Sequence, residues 1–87
     1  MKTFPLKISS PEGDLFNGEA VMFSARGTEG ELAVMAGNIP FVTSVKPGRC
    51  KISFEDSAER IADTDGGILT VASDKVVFLS GSLKWIE

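Results

Sequence analysis

Residues 63–67, with the sequence Asp-Thr-Asp-Gly-Gly, form the first group whose side chains could bind a metal ion. A calcium-binding loop needs oxygen ligands at fixed spacings around a glycine. A loop that begins at Asp63 would place Gly67 at a ligand position and Ile68 at the glycine position. A loop shifted so that Gly66 is the central glycine would put Ile61 at the first ligand position and Ala72 at the last. The segment therefore predicts a polar hairpin corner rather than a metal site.

Lys75 is a second candidate, because it follows Ser73 and Asp74 at a predicted hairpin. Lipoyl and biotinyl carrier domains are also all-β and of about this size, and their modified lysine lies on a hairpin. That lysine lies near the middle of a carrier domain, whereas Lys75 lies close to the end of this sequence. An ordinary hairpin lysine is favoured, and a carrier domain is kept as an alternative.

The carboxylates Glu55, Asp56 and Glu59 form a third group around a predicted turn. Paired carboxylates can perform acid–base chemistry, but this requires burial or strong coupling. Carboxylates at a hairpin tip are usually solvated, so a charged surface is predicted here. The glycines of the chain are not followed by Gly-Lys-Ser/Thr, so no phosphate-binding loop is predicted either.

The composition excludes several further chemistries. The chain has no histidine, no tyrosine and one cysteine, Cys50, which excludes histidine-based catalysis and cysteine-rich zinc sites. Cys50 lies in a strand pattern and is predicted to be a small buried apolar residue. The net charge is −3 with scattered basic residues, which argues against nucleic-acid binding. We expect no cofactor, no metal and no enzymatic activity of the chain by itself.

The length of 87 residues predicts one domain, residues 1–87. No apolar run approaches the roughly 18 residues that span a bilayer. No secretory signal is visible at the N-terminus. The single cysteine cannot form an internal disulfide, so a cytoplasmic, reducing location is expected.

The elements that must position these residues are predicted to be strands, because apolar and polar residues alternate along them with a period of two. Phe4, Leu6 and Ile8 alternate with polar or proline residues, and Cys50 and Ile52 alternate in the same way. Short β-rich runs recur along the chain with turn signals between them, and no helix is predicted. This pattern is typical of an antiparallel sandwich or barrel whose sheets each have one solvated face.

Two residues predict local irregularities in these strands. Gly18, inside residues 15–22, predicts a bulge or bend in a long strand. Pro5 is expected on an edge strand or at a strand start, because proline has no N–H to donate to a ladder.

The most informative segment is residues 30–48, GELAVMAGNIPFVTSVKPG. It resembles the G-E-L/F-G-V/I-L-P-G-H-A-P-L-L-T-x-L-K-P-G segment of the epsilon subunit of rotary F-type ATP synthases. Residues 8–19 are similar to that family's I-V-T/S-P-E-x-x-x-F-x-G-E segment. Residues 66–71 and 75–79 are similar to its last two strands. The resemblance covers about 80 residues without gaps.

The sequence departs from the family pattern at three positions. Asn38 stands where histidine is usual, Ala36 where proline is usual, and Asp65 where serine is usual. The helical hairpin that usually follows the last strand in the family is missing. Inhibition of ATP hydrolysis and ATP binding, which belong to that hairpin, are therefore not expected of these residues.

The resemblance implies an all-β, antiparallel two-sheet sandwich of about ten short strands. It also implies a non-catalytic central-stalk subunit that couples proton or sodium flow to ATP synthesis. Its partners would be the gamma subunit and the c-ring, and it would associate with the cytoplasmic face of the membrane only through the complex. The alternatives are an unrelated β-sandwich that binds a ligand or peptide, and the carrier domain.

By position, the resemblance also implies roles for individual residues. The loop that faces the c-ring would contain Thr28, Glu29, Gly30 and Glu31. The residues that face the gamma subunit would be Ser10, Asn38, Pro40 and Thr43. The residues that shape structural turns would be Gly37, Pro47, Gly48, Gly66 and Gly67.

Overall fold

The computed structural model describes residues 2–86, which form strands and turns with no helix in that range. Ten strands follow one another, as the alternation of apolar and polar residues predicts. An all-β chain of about ten strands is thereby confirmed. The strands are β1 (Phe4–Ser10), β2 (Gly13–Ala20), β3 (Met22–Gly27), β4 (Gly30–Met35), β5 (Phe41–Val45), β6 (Gly48–Ser53), β7 (Glu59–Thr64), β8 (Gly67–Val71), β9 (Val76–Ser80) and β10 (Leu83–Ile86).

The strands form two five-stranded sheets packed face to face. Sheet A has the order β2-β1-β9-β8-β5, and sheet B has the order β10-β7-β6-β3-β4. All neighbours are antiparallel except β1 and β9, which pair in parallel. The sandwich is therefore confirmed in preference to a barrel.

The core fills the space between the two sheets. Alternate residues of each strand point inward, so the apolar set of one strand meets that of the facing sheet. Phe23 of β3 and Phe78 of β9 meet across the middle with ring centroids 5.6 Å apart. The other large side chains that are fully buried are Leu6, Ile8, Val34, Ile52 and Leu69.

The direction of the strands separates the connections into two groups. Odd-numbered strands run toward one end of the sandwich, which we call the lower end, and even-numbered strands run back toward the upper end. The turns at the lower end are residues 11–12, 28–29, 46–47, 65–66 and 81–82. The connections at the upper end are residue 21 and residues 36–40, 54–58 and 72–75.

The predicted irregularity at Gly18 is wrong. Gly18 pairs regularly with Leu6, and the register shift lies between Ile8 and Ser9, opposite Leu15. A side chain at Gly18 would lie 3.2 Å from the ring of Phe16, so the glycine makes room for that ring.

The long strand predicted across residues 15–22 is also wrong, because the chain leaves sheet A for sheet B at Val21. The backbone N–H of Val21 donates to the carbonyl of Ser53, which fixes this corner. Pro5 lies at a strand start, as expected, before the parallel pairing of β1 with β9 begins at Leu6. It does not lie on an edge, because β1 is inside sheet A.

A buried pair of hydroxyl groups joins the two sheets at the lower end. The side-chain oxygens of Thr64 on β7 and Ser80 on β9 lie 2.7 Å apart. Ser80 also donates to the carbonyl of Ser82 at 2.7 Å. The backbone N–H of Gly66 donates to the Thr64 hydroxyl at 3.0 Å. These bonds satisfy polar groups that burial would otherwise leave unpaired.

Candidate functional site

The tight turn between β3 and β4 carries the residues expected to face the c-ring. Gly27 pairs with Gly30 and leaves Thr28 and Glu29 as the two turn residues. Gly30 has a φ of 123°, a value that side-chain-bearing residues rarely adopt. Residues 28–31 are all exposed, so this turn presents two carboxylates to solvent at the lower end.

A cleft of about 520 Å³ lies beside this turn. It is bounded by residues 27–32 on one side and by Phe41, Val42 and Thr43 of β5 on the other. Thr43, expected to face the gamma subunit, therefore lies next to the turn expected to face the c-ring. It pairs with the fully buried Leu69, so it points toward the core side and not outward.

Ser10, Asn38 and Pro40 are not brought together with Thr43. Ser10 lies at the lower end, where its hydroxyl accepts the N–H of Glu12 at 3.2 Å and closes the turn between β1 and β2. Asn38 lies in the upper connection between β4 and β5. Its side-chain oxygen accepts the N–H of Met35 at 2.7 Å. Pro40 is exposed in the same connection.

This contact gives a structural reason for asparagine at position 38. Asparagine side chains form local hydrogen bonds that stabilise turns. The backbone N–H of Asn38 also donates to the carbonyl of Met35 at 3.3 Å. The adjoining Gly37 adopts a φ of 89°.

Sequence reasoning missed an exposed apolar strip on the outer face of sheet A. Val42, Ile68 and Leu79 are 67%, 44% and 53% exposed and lie on β5, β8 and β9. Ile68 pairs directly with Leu79, and Val42 pairs with Thr70 beside it. The outer face of sheet A is exposed to solvent, as expected, but this part of it is apolar. We call Val42, Ile68 and Leu79 the apolar strip.

Asp65 shapes the lower turns. Its carboxylate accepts the N–H of Ser82 at 2.8 Å, and its own N–H donates to the carbonyl of Ser82 at 3.2 Å. A Cβ at Gly81 would lie 2.8 Å from the Asp65 carboxylate, so a larger residue there would require the Asp65 side chain to shift. The aspartate in place of the usual serine thus reaches across to hold the turn between β9 and β10.

The remaining turn residues lie around Asp65. Gly66 has a φ of 101°, and a side chain there would approach the Val45 carbonyl to 2.6 Å. Gly67 begins β8, where a side chain would collide with the carbonyl of Leu79. Pro47 precedes β6, which begins at Gly48.

The candidate chemical groups occupy ordinary surface positions. Asp56 accepts the N–H of Ala58 within the turn between β6 and β7. Asp63 and Glu59 pair with the basic side chains of Arg49 and Lys51 at 3.3 and 3.5 Å. Among residues 2–86, no three acidic or cysteine side chains converge as a metal site would require.

Glu55 and Lys75 are also exposed, in the turns after β6 and β8. Burial, together with the nearby Asp63 carboxylate, raises the pKa of the Cys50 thiol to about 11. The thiolate is the nucleophilic form of cysteine, so this thiol is unreactive near neutral pH.

The described residues thus form a β-sandwich domain with an exposed polar turn at one end and an exposed apolar strip on one sheet. The model of the family "ATP synthase, Delta/Epsilon chain, beta-sandwich domain" matches residues 3–86. The chain belongs to this family, as the resemblance in residues 30–48 implies. Neither an unrelated ligand-binding sandwich nor a carrier domain is favoured by this assignment.

Solved structures confirm the fold. A chain of the mitochondrial ATP synthase of Euglena gracilis, in a structure of OSCP, F1 and the c-ring, matches with a TM-score of 0.90 and 19% identity. The match covers 95% of this chain and 53% of that chain. A chain of the central stalk and c-ring of the Tetrahymena thermophila enzyme matches with a TM-score of 0.80 and 17% identity, covering 94% and 66%. The chain therefore spans about half to two thirds of the length of these relatives.

Proposed function

We propose that this chain is a non-catalytic rotor subunit of an F-type ATP synthase. It binds the gamma subunit and the c-ring and so couples ion flow to ATP synthesis. The family match over residues 3–86 is the observation that carries this proposal. A role in transmitting torque suits the architecture, because short turns and a close-packed core resist deformation.

The apolar strip is the proposed gamma-binding surface. Exposed apolar patches on soluble proteins mark interaction sites more often than isolated apolar residues do. The strip lies on sheet A, to which Ser10 and Thr43 also belong, and β5 follows directly on the connection that holds Asn38 and Pro40. We therefore propose that the gamma subunit covers the strip and contacts Ser10, Asn38 and Pro40 at its margins. Thr43, whose side chain points toward the core side, would be reached through the cleft beside residues 28–31.

The turn between β3 and β4 is the proposed c-ring-binding surface. Glu29 and Glu31 are exposed at the lower end, where they suit polar, partly basic loops of a partner. Exposed charges of this kind contribute about 1 kcal/mol or less each and act mainly on orientation and association rate.

A chain that binds the gamma subunit and the c-ring would lie at the membrane through these partners. Among residues 2–86 there is no helix of the length and apolarity that a membrane span requires. We propose a peripheral position on the cytoplasmic face, held through the partner subunits.

Two variants test the two surfaces separately. Glu29→Lys/Glu31→Lys should leave the melting temperature and gamma pull-down unchanged and weaken coupling to reconstituted c-ring, most strongly at low salt. Val42→Ser/Leu79→Ser should weaken gamma pull-down, because it removes two apolar side chains from the proposed gamma-binding surface. Loss of gamma binding in the glutamate variant with normal coupling would reverse the two surfaces. Normal assembly of both variants would refute the assignment of both surfaces.

A further inference from the structure

The outer face of sheet B carries a groove that shares Gly30 and Glu31 with the proposed c-ring-binding turn and extends from there across β3, β6 and β7. Its volume is about 580 Å³, within the range of small-molecule sites. Three basic side chains line it, those of Arg26, Arg49 and Lys51, and Glu31 is the one carboxylate among its described lining residues. Asp63 and Glu59, which pair with Arg49 and Lys51, lie at its rim, so an anion must displace these carboxylates in order to bind.

Strand register places these groups on one face. Arg26 on β3 pairs with Glu31 on β4, and Ser24, two residues earlier, pairs with Lys51 on β6. A Cβ at Gly48 would lie 3.4 Å from Cδ of Arg26, so the missing side chain leaves room for the arginine stem beside β6. Arg26 on β3 and the pair Arg49 and Lys51 on β6 therefore lie on adjacent strands, whose backbones are about 5 Å apart.

The existing ion pairs leave the positive charges of Arg26, Arg49 and Lys51 available to an anionic ligand. Arg49 and Lys51 pair with Asp63 and Glu59, but both pairs are solvent-exposed and such pairs are weak. Arg26 makes no ion pair within 4.0 Å to any residue of the range 2–86. A ligand with more negative charge than one carboxylate can therefore replace Asp63 and Glu59 as the partner of these side chains.

We propose that this groove binds a phosphate-bearing anion with at least two negative charges. Guanidinium groups bind phosphate oxygens through two parallel hydrogen bonds, and lysine adds a point charge. The Ser24 side chain lines the same groove and supplies a further hydroxyl donor. Binding is weak and strongly salt-dependent, because the side chains that form the site are solvent-exposed.

The test is a titration of the isotope-labelled chain with pyrophosphate at constant ionic strength, followed by amide chemical shifts. Saturable shifts are expected at Ser24, Arg49, Lys51 and Ile61. Linear, unsaturated shifts, or equal shifts when sodium chloride replaces pyrophosphate, would overturn the proposal.

Two variants of opposite effect make the test specific. Arg26→Gln/Arg49→Gln should weaken binding at least fivefold. Glu59→Gln/Asp63→Asn should tighten it at least twofold, because it removes the competing carboxylates. Unchanged affinity in both variants would overturn the proposal, and a variant that failed to fold would leave the other decisive.

A control and a second probe complete the design. Lys7→Gln/Lys75→Gln removes two positive charges from elsewhere and should leave the affinity unchanged. Vesicles of phosphatidylglycerol, compared with pyrophosphate, distinguish a lipid headgroup from a soluble phosphate. The site is supported if the chain binds either probe and Arg26→Gln/Arg49→Gln abolishes that binding. The site is refuted if the chain binds neither probe. None of these measurements involves the gamma subunit or the c-ring, so they stand apart from the proposed rotor role.

Discussion

Ser57 is the one residue other than glycine with a positive φ in the described chain, at 72°. It lies in the turn after β6, where its N–H donates to the carbonyl of Phe54 at 3.1 Å. Glycine keeps this backbone bond and removes the strain of the left-handed conformation, but it also increases the entropy of the unfolded chain. Ser57→Gly should therefore stabilise the fold by about 0.5–1 kcal/mol.

Denaturant unfolding measures this change. Ser24→Gly, inside β3, is the control and should destabilise the fold, because glycine weakens a strand interior. A loss of stability in Ser57→Gly would show that the serine side chain itself holds the turn.

Glycine can be required because of a positive φ or because no space is left for a side chain, and Gly66 and Gly13 distinguish these two reasons. Both have a positive φ, at 101° and 130°. A side chain at Gly66 would meet the Val45 carbonyl at 2.6 Å, whereas nothing lies within 4 Å of one at Gly13. Gly13→Ala should cost about 1–2 kcal/mol from conformation alone, and Gly66→Ala about 2–4 kcal/mol. Equal losses of unfolding free energy would show that the lower turns shift to accept the methyl group.

Cys50 predicts a dependence of stability on pH. Its thiol pKa is about 11 in the folded chain, above the ordinary value of 9.0, because burial disfavours the thiolate. Between these two values the folded chain binds more protons than the unfolded chain, so stability falls as pH rises. The slope from this residue is at most about 1.4 kcal/mol per pH unit.

The comparison with Cys50→Ala isolates this contribution from those of the other groups in the chain. Unfolding free energies at several pH values from neutral to strongly alkaline should show a shallower decline in the variant. Parallel declines would mean that Cys50 does not titrate upon unfolding.

At the scale of elements, the hydroxyl pair of Thr64 and Ser80 links β7 in sheet B to β9 in sheet A. Thr64→Val removes the acceptor of the Gly66 N–H and one partner of Ser80. We expect a loss of about 1–3 kcal/mol, since buried polar groups are left unpaired. Ser80→Ala should be destabilising too, and the double variant should lose less than the sum, because both residues share one network.

Thr70→Val is a matched control on the outer face of sheet A, where the expected change is within about 0.5 kcal/mol. Thermal or chemical unfolding of the unchanged protein, the two single variants and the double variant measures the coupling energy between Thr64 and Ser80. Strict additivity of Thr64→Val and Ser80→Ala would show that the two hydroxyls act independently and do not tie the sheets together.

Strands and turns differ in how well sequence predicts them. The alternation of Phe4, Leu6 and Ile8 identified β1, and all three are buried in the core. The corner at Val21 and the regular pairing of Gly18 were missed. Both depend on the partner strand and on the ring of Phe16, which single-strand periodicity does not report.

The same distinction applies to the candidate surfaces. The exposed turn at residues 28–29 could be predicted, because glycines on both sides signal a tight hairpin. The apolar strip could not, because Val42 and Leu79 have the same residue types as core positions. Only the register against the partner strands decides which face a residue occupies.

At the scale of the whole molecule, the pairing of β1 with β9 joins the two ends of the sequence. Leu6 pairs with Val76, so the middle of sheet A forms only when distant parts of the chain meet. Folds dominated by such non-local pairings fold in milliseconds to seconds.

Stopped-flow refolding should therefore show a main phase in that time range. Added prolyl isomerase serves as a control, because it accelerates only phases limited by proline isomerisation. Refolding within microseconds would show that local hairpins, rather than the β1–β9 pairing, limit the rate.

The strand directions also determine where engineered attachments can be made. β1 begins and β10 finishes toward the upper end, while the proposed c-ring-binding turn lies at the lower end. A fluorescent reporter or affinity tag genetically fused to either terminus would emerge on the side away from residues 28–31. Circular permutants reopened within the lower turns would reverse this geometry and place a reporter beside the ring.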